Sequence, residues 1–407
     1  MIELADLTWS ADDRQLAENL GSKLKSALAE AANGAPLREL LSGRPLPLHL
    51  AERALSADIV DGLMSFGLAR RENGKLRPLF QAKSVEGRLI FSDLSASMRL
   101  VNWSRNKNGY VDPMWEGPIL ARLMVRGEVD KALDIGCGCG VLALTMSSFS
   151  KRVVATDVNP RALMLTRFNA ALNAVANVDI LESDLFSAVE GLAFDRIVFN
   201  FPVGMELLPR SLLEAGDQLY ERFFPRLDEH LTEHGIAQLN MCVKDWERAS
   251  FFDSLQTWMG QEAKSYRAVF LELWRQTDGM RVNVRRWLAP FVLRNHLGRL
   301  MSIRRGVLYL RRGGQTGTYE IPTCYYEWAA RFDAAFASSL MAWVMDWDES
   351  SARADRVEEL DFIRALSDND RSIAIPVVRS FRERVREIHM PSRRRPGDVE
   401  DLAVQTT

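Results

Sequence analysis

The sequence has few cysteines, no long apolar run and no secretory pattern. Its four cysteines among 407 residues are too few and too irregularly spaced for a disulfide framework or a zinc site, which favours a reducing compartment. No apolar stretch approaches the roughly 18 residues needed to cross a bilayer. The N-terminus carries acids where a secretory signal would carry basic residues. We therefore expect a soluble, cytoplasmic protein that holds no metal and does not associate with a membrane.

The sequence also lacks an excess of charge of either sign. Lysine and arginine together number 52 and aspartate and glutamate 54, so the formal net charge is -2. Proteins that bind nucleic acid usually carry a clear basic excess, so nucleic acid is not expected as a partner. Hydrophobic residues make up 47% of the chain, which is enough for a sizeable core without metal or disulfide support. The length favours two or three globular domains.

The order of apolar patterns divides the chain into regions. Residues 1–100 carry apolar residues at helical spacing and then a hairpin pattern, which is typical of a helical, winged-helix-like module. Residues 101–275 alternate short strands with longer helices, which predicts an α/β fold with a doubly wound parallel sheet. Residues 276–389 are interpreted as a C-terminal extension that covers the site, and residues 390–407 as a disordered tail. The N-terminal module is a candidate surface for a homodimer.

A glycine-rich turn follows the first apolar strand of the middle region. The sequence LDIGCGCG, residues 133–140, places Gly136, Gly138 and Gly140 between a strand and the helix VLALTMSSF. Glycines allow a sharp turn and close approach of a ligand, and the amino end of the helix offers unpaired N–H groups. The dehydrogenase fingerprint requires a further glycine where Val141 stands. The turn therefore predicts a nucleotide-like ligand and disfavours a nicotinamide oxidoreductase.

Acidic residues follow the predicted strand ends in a regular order. Asp134 lies two residues before the first glycine, where it can hold the loop or the amino acid end of a ligand. Asp157 ends the second strand, where a carboxylate can accept hydrogen bonds from both hydroxyls of a ribose. Asp184 ends the third strand, placed to accept a hydrogen bond from an adenine amino group, and Leu185 flanks the ring. These strand ends together predict a site for an adenosine-sized ligand.

The motifs LDIGCGCG, ATDVNP, ESDLF and FDRIVFNFP resemble, in order and spacing, those of the class I S-adenosylmethionine-dependent methyltransferases. Within that family they are similar to the branch with the release-factor glutamine methyltransferases and related N-methyltransferases of ribosomal RNA and protein. The resemblance covers about residues 105–245 and implies a Rossmann-like fold with S-adenosylmethionine as the cofactor. It also implies that the three glycines and Asp134 hold the methionine part, Asp157 the ribose and Asp184 the adenine.

The motif after the fourth strand departs from this family. The branch carries Asn-Pro-Pro-aromatic, whose Asn side chain and first Pro carbonyl accept hydrogen bonds from the substrate amino group while the ring stacks on it. Here the residues are Asn200, Phe201, Pro202 and Val203. Asn200 is assigned to both the catalytic and the cofactor-binding residues, and Pro202 to the catalytic ones. With Val203 in the last position the stacking surface is lost unless Phe201 supplies it, so we expect the cofactor half of the site to be retained and the substrate half to be remodelled.

The remodelled motif predicts methyl transfer to a nitrogen or oxygen of a small-molecule metabolite, in a biosynthetic reaction. A hydroxyl or a protonated amine would need a base, for which Tyr110 and Glu116 are candidates. His230 and His234 are further candidates, although histidines at a helix end are more commonly structural. One alternative is N-methylation of a protein glutamine or an RNA nucleobase. Another is a cofactor-binding protein without catalysis.

The segment 281–312 stands out because it contains nine arginines and no acid. Such a run can contact a carboxylate, a phosphate or an RNA backbone. The net charge of -2 favours instead a solvated face whose arginines pair with acids elsewhere in the fold.

Overall fold

The computed structural model of the protein describes residues 11–29, 34–94, 116–202, 210–246, 251–276, 300–313, 316–321, 334–347 and 357–389. Tyr110, Val203, the arginines between 281 and 299 and the predicted tail at 390–407 lie outside the described residues. Of the helices in the described ranges, none combines the length and the apolar character that crossing a bilayer requires.

The N-terminal part consists of helices and two small antiparallel sheets. Its helices are α1 (Ala11–Ala29), α2 (Gly34–Leu41), α3 (Leu48–Leu55) and α4 (Ala57–Ser65). Strands β1 (Leu46–Pro47), β2 (Ala69–Glu72) and β3 (Lys75–Pro78) pair in the order β1-β3-β2, and β4 (Phe80–Val85) pairs with β5 (Arg88–Asp93). Both hairpins turn on two residues with positive φ, Asn73-Gly74 and Glu86-Gly87, a geometry that matches the twist of the strands. Helices are followed by hairpins, as in the predicted order, but there are two hairpins where the sequence predicts one.

The remaining described strands form one large sheet. They are β6 (Val129–Ile135), β7 (Ser150–Asp157), β8 (Val178–Glu182), β9 (Phe194–Asn200), β10 (Leu231–Trp246), β11 (Tyr266–Gln276), β12 (Leu300–Arg312) and β13 (Gly317–Ile321). Their order is β8-β7-β6-β9-β10-β12-β11-β13, and β12 is antiparallel to both of its neighbours. Strands β6 to β10 are parallel, so their carboxyl ends share one edge. Strands β12 and β13, from the segment predicted as an extension, belong to this same sheet.

Helices cover both faces of the sheet and bury two apolar cores. One face carries α5 (Gly117–Arg122), α6 (Val141–Met146), α7 (Pro160–Leu172), α10 (Ala334–Asp346), α11 (Asp361–Arg364) and α12 (Asp368–His389), together with the N-terminal helices. The other face carries α8 (Arg210–His230) and α9 (Phe251–Met259). Short 3₁₀ helices span Ser187–Val189, Gly260–Ser265 and Val357–Glu359. A mostly parallel sheet between two helical layers is the predicted doubly wound α/β fold, which is confirmed.

Helix α7 joins the N-terminal hairpin to the glycine loop. Asn169 donates from Nδ2 to the carbonyls of Phe91 in β5 and Cys139 in the loop, both at 2.8 Å. Its Oδ1 accepts from the N–H of Phe91 at 2.9 Å. About two turns earlier in α7, the Arg161 Nε donates to both carboxylate oxygens of Asp93, at 3.0 and 2.9 Å. The N-terminal part is therefore fixed directly to the loop that follows β6.

Candidate active site

The glycine loop between β6 and α6 has a backbone that only glycine adopts without strain. Gly136, Gly138 and Gly140 have φ of 65°, 57° and 80°, all in the left-handed region. A Cβ at Gly140 would lie 2.8 Å from the Thr166 side chain, and one at Gly136 would lie 3.1 Å from Phe199. The Thr166 hydroxyl also donates to the Gly138 carbonyl at 3.1 Å. The predicted loop therefore exists, and its neighbours fix its shape.

The two cysteines of the loop are buried and chemically quiet. Burial raises the pKa of the Cys139 thiol to about 12 and that of Cys137 well above its ordinary value. The thiolate, which is the nucleophile and metal ligand, is therefore scarce at neutral pH. This supports their interpretation as small side chains that fill space inside the loop.

Asp134 lies under the loop and holds the start of α6. It is 1% exposed, and its Oδ2 accepts from the N–H of Ala143 at 2.8 Å. Burial raises the pKa of this carboxyl to about 8, because the charged form loses its hydration. At neutral pH the group is therefore largely protonated, and a cationic ligand nearby would favour its ionised form.

We expect Asp134 to make the protein less stable as pH rises from about 4 to about 8. The folded state keeps this proton up to about pH 8, whereas the unfolded chain releases it near pH 3.9. Stability from this group is therefore fully present below the unfolded pKa and is lost as pH rises through the folded pKa. The slope is about 1.4 kcal/mol per pH unit within that window.

The measurement is urea unfolding at several pH values between 4.5 and 8 for the wild type and Asp134→Asn, which keeps an oxygen for the Ala143 N–H. The variant should show the flatter pH dependence. Asp130→Asn, at an exposed position of β6, serves as the control and should follow the wild type. Parallel pH dependences for the wild type and Asp134→Asn would contradict the assignment.

Asp157, at the carboxyl end of β7, is tied to the glycine loop. Its Oδ2 accepts from the N–H of Gly138 at 2.9 Å, and its Oδ1 accepts from the N–H of Asn159 at 2.9 Å. Partial burial raises the pKa of this carboxyl from its ordinary value, and the backbone hydrogen bonds oppose that rise. The arrangement places a carboxylate beside the loop, as the sequence predicts. The hydrogen bond to Gly138 fixes the Asp157 side chain relative to the loop.

The third strand end differs in detail from the prediction. Asp184 follows β8 and is exposed, and its Oδ2 accepts from Arg222 Nη2 at 2.7 Å. Leu185 is 8% exposed and packs into the apolar core, so it presents little surface to a ligand. Val158, immediately after Asp157, is 59% exposed. The sequence signal that could have found Val158 is an apolar residue directly after the acid that ends a strand.

Asn200, at the end of β9, lies in a polar cluster that includes a residue the sequence analysis missed. Asn240, its register partner on β10, donates from Nδ2 to Asn200 Oδ1 at 2.7 Å and to Glu116 Oε2 at 2.6 Å. Arg305 of β12 donates to Glu116 Oε1 at 3.1 Å. The structure therefore brings the predicted Asn200 and Glu116 together through Asn240.

Phe201 is not available as a stacking surface. Its side chain is 2% exposed, and its ring lies 3.9 Å from Phe199 and 4.8 Å from Tyr220 between ring centroids. Its N–H donates to the Asn240 carbonyl at 3.3 Å, and the exposed Pro202 follows. Phe201 therefore does not supply the stacking surface, because its ring packs in the core beneath α8.

The two histidines lie at the opposite edge of the sheet. His230 ends α8, is 0% exposed, hydrogen-bonds through Nδ1 to the Leu192 carbonyl at 2.9 Å and stacks on Phe186. The next residue pairs with Phe194, at the amino end of β9, about 20 Å from Asn200 at the usual rise of a strand. His234 is on β10 near the same end. Neither lies near the glycine loop, which supports the structural interpretation of His230, whereas His234 lies on β10 and not at the predicted helix end.

One group of described side chains has the spacing of metal ligands, namely Glu190, Glu229 and His230. Arg226 donates to Glu190 at 2.6 Å and to Glu229 at 3.3 Å. Its guanidinium already supplies the positive charge that a cation would bring, and the group lies at the edge away from the glycine loop. We therefore assign no role in the active site to it.

The arginines of β12 pair with acids. Arg304 contacts Asp245, Glu272 and Glu320; Arg305 contacts Glu116; Arg311 contacts Asp346; and Arg312 contacts Asp228. Where the structure describes the arginine-rich segment, each arginine thus has an internal ion pair. This supports the interpretation of a face neutralised within the fold, and the other arginines of the segment lie outside the described residues.

Residues 117–245 match the family model described as the methyltransferase small domain. The chain is similar to a protein of Methanocaldococcus jannaschii named provisionally as a protein N5-glutamine methyltransferase, with 32% identity over 143 residues, 31% of this chain and 70% of that protein. It is similar to the release factor glutamine methyltransferase of Escherichia coli, with 39% identity over 93 residues, 22% of this chain and 33% of that protein.

Among solved structures, the chain is similar to the ribosomal protein L11 methylase of Lactobacillus delbrueckii subsp. bulgaricus. The sequence identity is 19%, the match covers 48% of this chain and 75% of that chain, and the TM-score is 0.30. The match to the Escherichia coli relative spans only a third of that protein's length.

Proposed function

Because the chain belongs to the class I S-adenosylmethionine-dependent methyltransferases, we propose that it methylates the side-chain amide nitrogen of a glutamine in a protein. It is an enzyme that takes its methyl group from S-adenosylmethionine. The observation that carries the proposal is the position of Asn200 beside the glycine loop, with an amide oxygen whose direction Asn240 sets. An oxygen acceptor in that place can hold the N–H of a planar amide.

The acceptor predicted from the sequence, a small-molecule metabolite, is wrong. Two relatives with clear sequence similarity are named as methyltransferases of protein glutamine. The acceptor is therefore expected to be a macromolecule, and the predicted role in small-molecule biosynthesis is withdrawn. Charge alone disfavours nucleic acid as a partner without excluding it, so RNA, the alternative acceptor, is tested beside protein.

The residues present fit S-adenosylmethionine. The loop amides and Asp134 suit the methionine part, since a buried carboxyl that ionises beside a cation complements an ammonium group. Asp157 offers carboxylate oxygens to the ribose, and Val158, 59% exposed, offers an apolar surface to the base. Asp184 suits the adenine amino group from the next strand. When bound, the cofactor supplies an electrophilic methyl group on a positively charged sulfur.

The chain's own part in the reaction is to position the acceptor nitrogen. The Asn200 Oδ1 and the Phe201 carbonyl accept hydrogen bonds from the amide N–H groups, and Pro202 restricts the direction of that carbonyl. The nitrogen lone pair then faces the methyl group, which is catalysis by proximity and electrostatics rather than by a strong base. Bound S-adenosylmethionine would supply the methyl group, and Asn200 and the Phe201 carbonyl would hold the acceptor nitrogen facing it while water takes the proton that the nitrogen loses.

Replacing Asp157 by alanine should weaken S-adenosylmethionine and S-adenosylhomocysteine binding by roughly 1 to 3 kcal/mol, since two ribose hydroxyls lose their acceptors. The loss of the hydrogen bond to Gly138 acts in the same direction. Calorimetric titration gives the dissociation constants of both compounds for the wild type and the variant. NAD, which should not bind, is titrated as a negative control.

Asp179→Ala is the matched control, because Asp179 lies on the neighbouring strand and pairs with Arg152 at the protein surface. Equal affinities for Asp157→Ala and Asp179→Ala would remove Asp157 from the cofactor site. Binding of NAD in place of both sulfur compounds would overturn the cofactor assignment.

The acceptor class is tested with S-adenosylmethionine that carries a tritiated methyl group and an extract of the source organism. We expect the label to enter material that is retained by a filter of small pore size, resists ribonuclease and is digested by protease. Acid hydrolysis should then release the label as volatile methylamine, since a methylated glutamine amide hydrolyses to glutamate and methylamine.

Each other outcome is decisive. Label that ribonuclease releases would replace the protein acceptor by RNA. Cofactor binding with no transfer to any fraction would favour a cofactor-binding protein without catalysis over the proposed function. Protein-bound label that acid hydrolysis does not convert to methylamine would move the methyl group from glutamine to another side chain.

A further inference from the structure

We propose that Asn240 is a positioning residue that fixes the direction of the Asn200 amide, and that Glu116 and Arg305 hold Asn240 in turn. Asn200, Asn240, Glu116 and Arg305 are called the Asn200 network. Its members come from β9, β10, the residue before α5, and β12, so the network forms only in the folded protein. The proposal rests on the proposed function, because it concerns the oxygen that would hold the acceptor nitrogen.

The donor and acceptor chemistry of the network leaves one consistent arrangement. An ionised carboxylate only accepts hydrogen bonds, and a guanidinium only donates them. Arg305 donates to Glu116 at 3.1 Å, which favours the ionised carboxylate. The Asn240 atom 2.6 Å from Glu116 must therefore be its NH2 group. The second hydrogen of that group points to Asn200 at 2.7 Å, so Asn200 must turn its oxygen, and not its NH2 group, toward Asn240.

This arrangement matters because an asparagine amide can turn over with little change in shape. A turned Asn200 would present donors where the acceptor amide also presents donors, and the hydrogen bond would be lost. Asn240 is 1% exposed, and the side chains of Arg305 and Glu116 are 20% and 17% exposed. In such a site the hydrogen bonds are strong and the arrangement is costly to break.

The same contacts argue against Glu116 as the base that removes a proton from the acceptor. One of its oxygens accepts from Arg305 and the other from Asn240, so both already hold hydrogen bonds within the protein. Positioning through Asn240 accounts for both contacts.

The test compares Asn240→Leu, which has a similar shape without polar atoms, with Glu116→Gln, whose amide removes the charge that dictates the direction of Asn240. Transfer of tritiated methyl from S-adenosylmethionine to the protein fraction of the extract gives kcat and the KM for S-adenosylmethionine. We expect kcat to fall about 10- to 100-fold in each variant, the scale expected for misplacement of a reacting group, with KM for S-adenosylmethionine unchanged. The double variant should be no slower than Asn240→Leu, because both changes act through Asn200.

Arg312→Gln is the matched control. It also breaks an ion pair of β12, with Asp228 at 3.0 Å, but it lies seven residues from Arg305 on the strand, about 23 Å away. Its kcat should match the wild type. Additive losses in the double variant, or a kcat of Asn240→Leu within threefold of the wild type, would overturn the proposal.

Hydrogen exchange of the Asn240 side-chain amide, followed by NMR, tests the Asn200 network without a methyl acceptor. In protein labelled with nitrogen-15 at asparagine and saturated with S-adenosylhomocysteine, the Asn240 amide signal is assigned by its absence from Asn240→Leu. Both of its hydrogens should exchange slowly with solvent in the wild type and faster in Glu116→Gln. If the wild type transfers no methyl group, the proposed function fails, and the exchange rates alone then show whether Glu116 holds the Asn240 amide. Fast exchange in the wild type, or no change in Glu116→Gln, would overturn it.

Discussion

Replacing Asn200 by alanine is expected to lower kcat for methyl transfer about 100- to 1000-fold, the usual cost of removing one group that orients a reacting centre. The acceptor amide would lose the oxygen that turns its lone pair toward the methyl group. Affinity for S-adenosylhomocysteine should change far less, because the glycine loop, Asp157 and Asp184 remain. The kcat from tritium transfer and the dissociation constant from calorimetry together check this.

Asn200→Asp is the informative companion variant. In the wild type Asn240 Nδ2 lies 2.7 Å from Asn200 Oδ1. The aspartate keeps an oxygen that can accept hydrogen bonds from Asn240 and from the N–H of the substrate amide, so Asn200→Asp should retain more activity than Asn200→Ala. If alanine and aspartate reduced kcat equally, or if alanine abolished cofactor binding, Asn200 would serve the cofactor or the fold rather than the acceptor.

Replacing Asn169 by leucine is expected to lower the free energy of unfolding by about 3 to 4 kcal/mol. The side chain is 0% exposed, and its loss leaves the Phe91 N–H and the carbonyls of Phe91 and Cys139 without this partner. Each buried backbone group left unsatisfied costs about 1 to 3 kcal/mol, and partial relaxation reduces the sum. Chemical denaturation followed by circular dichroism measures the change.

Arg167→Leu is the control on the same helix. Arg167 makes one long hydrogen bond, at 3.3 Å to the Ile180 carbonyl, so its loss should cost less than about 1 kcal/mol. A loss in Asn169→Leu no larger than that in Arg167→Leu would mean that the hairpin and the loop are held by other contacts.

The cofactor half of the site could be predicted from the sequence because its signals are local. The glycines of the loop and the acids at the ends of β6 and β7 stand within a few residues of apolar strands. Parallel strands bring their carboxyl ends to one edge, so short-range patterns become one site. The sheet itself was predictable for the same reason, since strand and helix periods alternate clearly from residue 129 to residue 200.

The substrate half could not be predicted because its contacts are distant in sequence. Asn240 lies inside an apolar run and resembles an isolated polar residue of a strand. Its partner Glu116 is 124 positions away, and Arg305 is 189 positions from Glu116. The direction of Phe201 was also beyond a local pattern, because it depends on whether aromatic residues of α8 offer the ring a place in the core. Composition also could not predict the partners of the β12 arginines, since their six acids lie in six other parts of the fold.

The contacts between the N-terminal hairpin and α7 affect where the chain can be truncated without loss of stability. The match to the methyltransferase small domain begins at residue 117, but a chain cut there would leave Asn169 and Arg161 with buried polar groups and no Phe91 or Asp93 to meet them. A chain that ends at residue 245 would also lack β12, the strand that pairs with β10. We therefore expect a chain of residues 117–245 to be less stable than the full chain. A transfer of residues 117–245 to another scaffold would keep these contacts only if β5 and β12 were transferred with them.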